Sequence, residues 1–76
     1  MIDPEGATPL YEQVADELER RIRAGDPPPN RVLPGELAIA QEFGVARGTA
    51  RHAIAVLRER GLVITVPGRG TFVTKS

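Results

Sequence analysis

The side chains best suited to chemistry stand close together in the second half of the chain. Arg47 and Arg51 are four residues apart, so in a helix they would lie one above the other on a single face, and we expect Thr49 to project between them. The planar guanidinium of arginine suits phosphates and guanine edges. Gly48 costs a helix about 1 kcal/mol relative to alanine, but it would let a backbone or a base edge approach closely. These residues predict a surface that binds nucleic acid.

A second candidate lies near the C-terminal end, at Gly68-Arg69-Gly70. Together with Pro67, these residues separate two β-branched stretches, 62–66 and 71–74, which predicts a hairpin joined by a four-residue glycine-rich loop. A slim cationic tip can enter a minor groove of DNA, where arginine is favoured by the negative potential. The alternative is an ordinary turn with a solvated arginine.

Three helices are predicted to position these residues. The first spans 9–24, with Thr8 as its cap and Pro9 as its first residue. The second runs from Glu36 to Phe43, after an extended segment at 31–33. Only 44–46 separate it from the third, which spans 47–60. The side chains expected to be buried are Leu10, Tyr11, Val14, Ala15, Leu18 and Ile22; Leu37, Ile39, Ala40 and Phe43; Ala50, Ala53, Ile54 and Leu57; and Phe72.

Two short helices joined by a three-residue turn form a helix-turn-helix, and the hairpin that follows resembles a wing. The expected fold is therefore mainly α with a small β-hairpin, a winged helix-turn-helix of three helices and a two-stranded wing. We expect a flexible leader at 1–8 and one domain at 9–74. Within it, the helix-turn-helix spans about 36–55 and the wing about 62–74.

Composition excludes several classes of function. The chain has 76 residues, no cysteine and a single histidine, His52, so it offers no nucleophile–base pair and no metal cluster. We expect no enzyme, no metal and no cofactor. No apolar stretch approaches the roughly 20 residues of a membrane span. The net charge of zero conceals an asymmetry, because residues 1–38 are acidic and residues 39–76, Lys75 included, are basic. A basic half favours a polyanionic partner.

Several short motifs stand in an order that resembles the GntR family of bacterial transcription regulators. The resemblance covers residues 9–73 and implies an N-terminal winged helix-turn-helix that binds DNA, without catalysis. It also implies that an effector-binding, dimerising C-terminal domain is absent from this chain. The motifs are Pro9-Leu10-Tyr11-Glu12-Gln13-Val14-Ala15; Leu33-Pro34 with Glu36; Phe43-Gly44-Val45; Arg47, Thr49 and Arg51; Gly61-Leu62-Val63; and Gly68-Arg69-Gly70-Thr71-Phe72-Val73.

The resemblance assigns roles to individual residues. Arg47 would read guanine, Thr49 would contact a phosphate or a base, and Arg51 would bind one helical turn later. Gly68 and Arg69 correspond to the wing glycine and its basic neighbour. Two further residues, Gly35 and His52, are candidate phosphate contacts.

Departures from the family pattern remove hydrogen-bond donors and cations. Gly35 stands where serine is usual, Leu37 where a basic residue is usual, and Ala46 where serine or threonine is usual. The first wing strand, often charged in the family, is uncharged at 64–66. We therefore expect fewer phosphate contacts and a shallower salt dependence than in a typical member.

The expected function is sequence-specific binding of duplex operator DNA by a cytoplasmic transcription regulator, most simply a repressor. The third helix would enter the major groove and the wing the minor groove. We expect the free chain to be mainly monomeric, with self-association on DNA. The alternative is a winged-helix module that docks a partner protein through the acidic first helix.

Overall fold

Three helices followed by a two-stranded antiparallel hairpin make up the chain. A computed structural model describes residues 2–74, so Lys75 lies outside the described residues. The order and type of the elements are those predicted, and the fold is a winged helix-turn-helix. The elements are α1 (Leu10–Arg23), α2 (Glu36–Phe43), α3 (Arg47–Glu59), β1 (Val63–Val66) and β2 (Gly70–Val73).

α1 begins one residue later than predicted. Pro9 is its N-cap, with φ −56° and ψ 148°, and no side chain caps the helix, so Thr8 is not the cap. The carbonyl of Thr8 instead accepts a hydrogen bond of 2.7 Å from Gln13 Nε2. Glu12 in the first turn and arginines in the last turn interact favourably with the helix dipole and stabilise the helix at both ends.

The segment before α1 folds back on the start of that helix. Gln13 Oε1 accepts a hydrogen bond of 2.5 Å from the Asp3 amide, and Gln13 Nε2 donates to the Asp3 carbonyl at 2.8 Å. Ile2 packs against the core. One glutamine side chain thus links both ends of this segment to α1, while the flexibility of residues 1–8 stays a prediction.

The core is formed mainly by the three helices. α3 packs against both α1 and α2, and it buries Ala50, Ala53, Ile54 and Leu57, as predicted. Other fully or nearly buried residues are Val14, Ala15, Leu18, Leu33, Ile39, Ala40, Val63 and Val73.

Burial of Leu37 is a prediction that the structure contradicts, because its side chain is 53% exposed. α2 is only eight residues long and buries Ile39 and Ala40. Leu37 is two residues before Ile39, a rotation of about 200° around the helix, so the two side chains leave on opposite sides. Gly44 ends α2 in the left-handed conformation, at φ 67°, which lets the chain turn directly towards α3.

The wing is the hairpin of β1 and β2, and a third extended segment borders it. Val63 pairs with Val73, and Thr65 pairs with Thr71. On the other side of β2, the Leu33 amide donates to the Thr71 carbonyl at 2.7 Å, and residues 31–33 lie antiparallel to the strand. β2 is therefore central. The extended segment predicted at 31–33 is confirmed, and it fixes the base of the wing to the domain.

Candidate nucleic-acid interface

The first turn of α3 carries the two arginines expected to bind nucleic acid. α3 begins at Arg47, and the side chains of Arg47 and Arg51 are 63% and 66% exposed. A Cβ built on Gly48 would meet no atom within 4 Å. The start of α3 therefore offers two long guanidinium side chains beside a smooth strip of backbone.

Glu36, the first residue of α2, pairs with both arginines. Its carboxylate accepts from Arg51 Nε at 3.1 Å and from Arg51 Nη2 at 3.3 Å, and it lies 3.7 Å from Arg47 Nη2. The hydrogen bond from Arg51 is the largest cause that lowers the pKa of Glu36, and the charge of Arg47 adds to it. The same hydrogen bond raises the pKa of Arg51. An ionised carboxylate thus holds both guanidinium groups in the absence of DNA.

Thr49 does not project between the arginines. A step of two residues rotates a helix by about 200°, so Thr49 leaves α3 on the opposite side from Arg47. Its side chain is half-buried. The prediction was right that residues four apart share a face of a helix, but it overlooked that the residue midway between them points to the other side. Thr49 and the arginines border the first turn of α3 from two sides.

The tip of the wing is a tight turn around Arg69. The Arg69 amide donates to the Val66 carbonyl at 3.0 Å. Gly68 adopts φ 76°, which side chains other than glycine rarely tolerate, and a Cβ on Gly70 would lie 3.3 Å from Val32 Cγ2. Arg69 itself is exposed. The two glycines make the tip narrow and leave its arginine directed by no neighbouring side chain of residues 2–74.

His52 and Tyr11 stack on each other, away from the side of α3 that carries Arg47 and Arg51. Their ring centroids are 3.6 Å apart and the ring planes differ by 7°. Tyr11 is half-buried and packs against α3 through this pair, so it is not the core residue that the sequence predicted. Phe72 is also half-buried rather than fully enclosed. Gly35, the other candidate phosphate contact, is the N-cap of α2, with open space above it.

Sequence reasoning missed Glu36 and Arg58 as site residues. Glu36 is distant in sequence from Arg47 and Arg51, and only the packing of α2 on α3 brings them together. Arg58 could have been found from spacing, because it follows Arg51 by seven residues and returns to the same side of α3. Among residues 2–74, no group of three histidine, aspartate or glutamate side chains could hold a metal ion. No helix of the described chain is long and apolar enough to cross a membrane.

The fold and the exposed arginines define the class: a winged helix-turn-helix protein with a basic face on its third helix. A comparison with protein families gives the family itself. The model for bacterial regulatory proteins of the gntR family matches residues 10–73, so the chain belongs to the GntR family, and the resemblance seen in the sequence is confirmed.

Individual relatives agree with this assignment. The chain is 38% identical over 74 residues to the HTH-type transcriptional repressor NagR of Bacillus subtilis, which covers 97% of this chain and 30% of NagR. It is 41% identical over 68 residues to the Escherichia coli repressor MngR of a mannosyl-D-glycerate transport and metabolism system, covering 90% of this chain and 28% of MngR. The chain thus spans less than a third of the length of these relatives.

A solved structure gives the same result for the fold. The DNA-binding domain of AraR, crystallised with its operator ORX1, is 38% identical to this chain with a TM-score of 0.85. The alignment covers 97% of this chain and 92% of the AraR domain.

Proposed function

We propose that this chain binds operator DNA in a sequence-specific manner as the DNA-binding domain of a bacterial transcription repressor. The observation that carries the proposal is the exposed arginine pair at the start of α3, in a fold similar to an AraR domain crystallised on its operator. In a helix-turn-helix, the N-terminal residues of the second helix contact base edges in the major groove. Those residues here begin with Arg47-Gly48.

Each candidate residue has a role in this proposal. Arg47 forms a bidentate pair with guanine, and Arg51 binds the neighbouring base or phosphate after leaving Glu36. Gly48 lets the helix backbone approach the groove closely, because nothing occupies the space above it. Thr49 contacts the backbone on the far side of the first turn. In the wing, Gly68 allows the turn and Arg69 enters the minor groove.

Two further positions are assigned to phosphates. The backbone N–H groups at the start of α2, beside Gly35, are free to donate to a phosphate oxygen, although no serine hydroxyl assists them. His52 is exposed despite its stacking on Tyr11, and the stacked ring holds its nitrogens in a fixed orientation at the edge of α3.

The protein-docking alternative is not favoured, because three of the four acidic residues of α1 are paired within the chain. Glu17 binds Arg20 and Arg21, and Arg60 Nη1 lies 2.9 Å from Asp16 and 2.8 Å from Glu19. A partner docking on α1 would have to break these pairs. The arginines without an ion-pair partner within residues 2–74 lie elsewhere: Arg58 and Arg69 beside and at the tip of the wing, and Arg31 in the third segment of the sheet.

The proposal extends to the setting in which the domain acts. Operators read by helix-turn-helix proteins consist of two half-sites about one helical turn apart, so full occupancy takes two copies of the domain. We infer that a single copy in solution binds one half-site weakly and that pairing occurs on DNA. A regulator of this kind acts in the cytoplasm, where bacterial DNA lies.

Selection of bound duplexes from a random pool tests the proposal. The chain is immobilised, a random double-stranded pool is passed over it at two salt concentrations, and the retained duplexes are sequenced. The proposal predicts one enriched half-site that survives at the higher salt concentration, with a guanine that is lost when Arg47→Ala is used. Retention without any enriched sequence would mean that the domain binds duplexes only through their phosphates.

A further inference from the structure

A groove separates α3 from the inner face of the wing. It is open to solvent, has a volume of about 600 Å³ and runs from the start of α2 towards β1. Ile54 forms part of its floor. Its walls carry two arginines and two hydroxyls, Arg51, Arg58, Thr65 and Thr71, and one carboxylate, Glu36, which lies at the α2 end of the groove and is paired with Arg51.

Arg58 reaches across this groove to the wing. Its Nε and Nη2 donate to Thr65 Oγ1 at 3.2 and 2.9 Å, and the hydroxyls of Thr65 and Thr71 are 3.2 Å apart. The edge of the guanidinium that usually grips two oxygens of a carboxylate or a phosphate therefore rests on a single neutral oxygen. An arginine has five donors, so this contact leaves most of its capacity free.

No carboxylate of residues 2–74 balances the charge of Arg58. Every other arginine of α3 and its C-cap is paired: Arg47 and Arg51 with Glu36, and Arg60 with Asp16 and Glu19. β1 (Val63–Val66) contains no charged residue. The side of the groove next to β1 therefore carries the unpaired positive charge of Arg58.

Arg58 also lies on the same side of α3 as the arginines of its first turn. Arg51 follows Arg47 by four residues and Arg58 follows it by eleven, so the three Cα–Cβ bonds point within about 40° of one another. Eleven residues of helix span about 16 Å. This arginine stripe, defined as Arg47, Arg51 and Arg58, leads from the proposed base contacts to the wing.

We propose that Arg58, with the hydroxyls of Thr65 and Thr71, binds a backbone phosphate of duplex DNA in this groove. The proposal rests on the proposed function: if α3 enters the major groove and the wing enters the adjacent minor groove, the sugar–phosphate strand between the two grooves must pass between these elements. The groove lies there. A phosphodiester oxygen replaces Thr65 as the acceptor for the guanidinium edge, and the freed hydroxyls donate to the same phosphate.

Salt dependence of binding tests this site, because each phosphate contact adds about one unit to the slope of log K against log salt. The chain carrying Arg58→Gln is titrated into the selected duplex and a scrambled duplex over a salt series. We expect both affinities to fall by the same factor, about fivefold to tenfold, and both slopes to decrease by about one unit.

Two further variants separate a phosphate contact from a mere link between α3 and the wing. Arg23→Gln removes the same charge from the far end of α1 and should leave both slopes at the wild-type value. Thr65→Val removes the internal acceptor but keeps the cation, so its slope should stay within about half a unit of the wild-type slope. Melting curves establish that each variant is folded.

The outcomes are distinct from those of the proposed function. If Arg58→Gln keeps the wild-type slope on both duplexes, or if Thr65→Val loses as much slope as Arg58→Gln, the phosphate site is wrong and Arg58 only fixes the wing. If the wild-type chain binds the two duplexes equally while Arg58→Gln still lowers the slope, the phosphate site stands and sequence-specific binding fails. If wild-type chain binds neither duplex, both proposals fall.

Discussion

At the scale of single residues, Glu36 changes how the start of α3 is understood. The sequence presents Arg47 and Arg51 as free cations, whereas the structure holds both on one carboxylate. DNA binding then becomes an exchange, in which phosphate and base acceptors must displace Glu36. This carboxylate also repels phosphates, so it weakens binding to any duplex that cannot offer the arginines a better partner.

Glu36→Gln should therefore increase affinity for unrelated duplexes. The amide removes one negative charge and still accepts a hydrogen bond from Arg51, so the fold is retained. Exposed ion pairs contribute little, and we expect a gain of about twofold to fivefold. Glu5→Gln removes the same charge before α1 and serves as the control in anisotropy titrations. Equal gains from both variants would mean that only net charge matters and that Glu36 has no specific role.

At the scale of secondary-structure elements, α1 is stabilised by ion pairs that depend on pH. The hydrogen bond from Arg20 is the main cause that lowers the pKa of Glu17 to about 2, and the hydrogen bond from Arg23 lowers that of Glu19. A carboxyl whose pKa is lower in the folded state stabilises that state above its unfolded pKa, and this contribution disappears as the pH falls through the folded value.

We expect the melting temperature of the chain to fall between about pH 4.5 and pH 2, and Glu17→Gln to reduce that fall. Circular dichroism melts at pH 5, 3.5 and 2.5 measure it. Glu12→Gln is a suitable control, because Glu12 lies in the same helix and has no ion-pair partner among residues 2–74. A pH profile identical for wild type and Glu17→Gln would show that the pair with Arg20 contributes nothing.

The wing is the element whose action depends on its tip. Ordering the long Arg69 side chain costs conformational entropy until a groove supplies contacts. Arg69→Ala should weaken binding to the selected and to the scrambled duplex nearly equally, by about 1 kcal/mol, and lower the salt slope by about one unit. Matched salt titrations on both duplexes check this. An unchanged affinity and slope would mean that the wing does not touch DNA.

Elements with a clear period could be predicted from the sequence, and contacts between elements could not. The apolar spacing of α1 and α3 and the change to β-branched residues after Gly61 placed the ends of the helices and of the strands to within one residue. The prediction that Thr8 caps α1 was wrong, because Pro9 takes the N-cap position and the Thr8 carbonyl accepts a hydrogen bond from Gln13. The prediction that Leu37 is buried was wrong, because a helix of only two turns directs few side chains into the core.

The same limit applies to the site. The arginines and the wing glycines were identifiable by residue type and spacing. The Glu36 pairs, the His52–Tyr11 stack and the Arg58–Thr65 contact depend on the packing of one element on another, which no local pattern encodes.

At the scale of the whole molecule, the acidic first half and the basic second half of the sequence do not form two separate charged surfaces. Acidic α1 is largely neutralised by its own arginines and by Arg60, while Arg31, Arg58 and Arg69 have no ion-pair partner within residues 2–74. The molecule thus keeps its uncompensated positive charge beside and at the tip of the wing. That arrangement favours approach of a polyanion from the side of α3 and the wing.

We expect the free chain to be mainly monomeric at micromolar concentration. Its apolar side chains are mostly used in its own core, and only three large ones are exposed among residues 2–74: Leu37 on α2, and Val32 and Ile64 on the outer face of the sheet, one on each side of Phe72. Sedimentation velocity with and without a duplex of two half-sites checks the prediction. A stable dimer without DNA would contradict it, and Ile64→Thr would then test whether the sheet face forms the interface.

The central claim is that the start of α3 reads sequence, and one ratio tests it most directly. The affinity of the chain for the selected duplex is divided by its affinity for a scrambled duplex of equal length, for wild type and for Arg47→Ala at a single salt concentration. A bidentate arginine–guanine pair provides about 1–3 kcal/mol of discrimination, so the ratio should fall towards one while the melting curve stays that of a folded chain. A folded Arg47→Ala variant with the wild-type ratio would contradict the account.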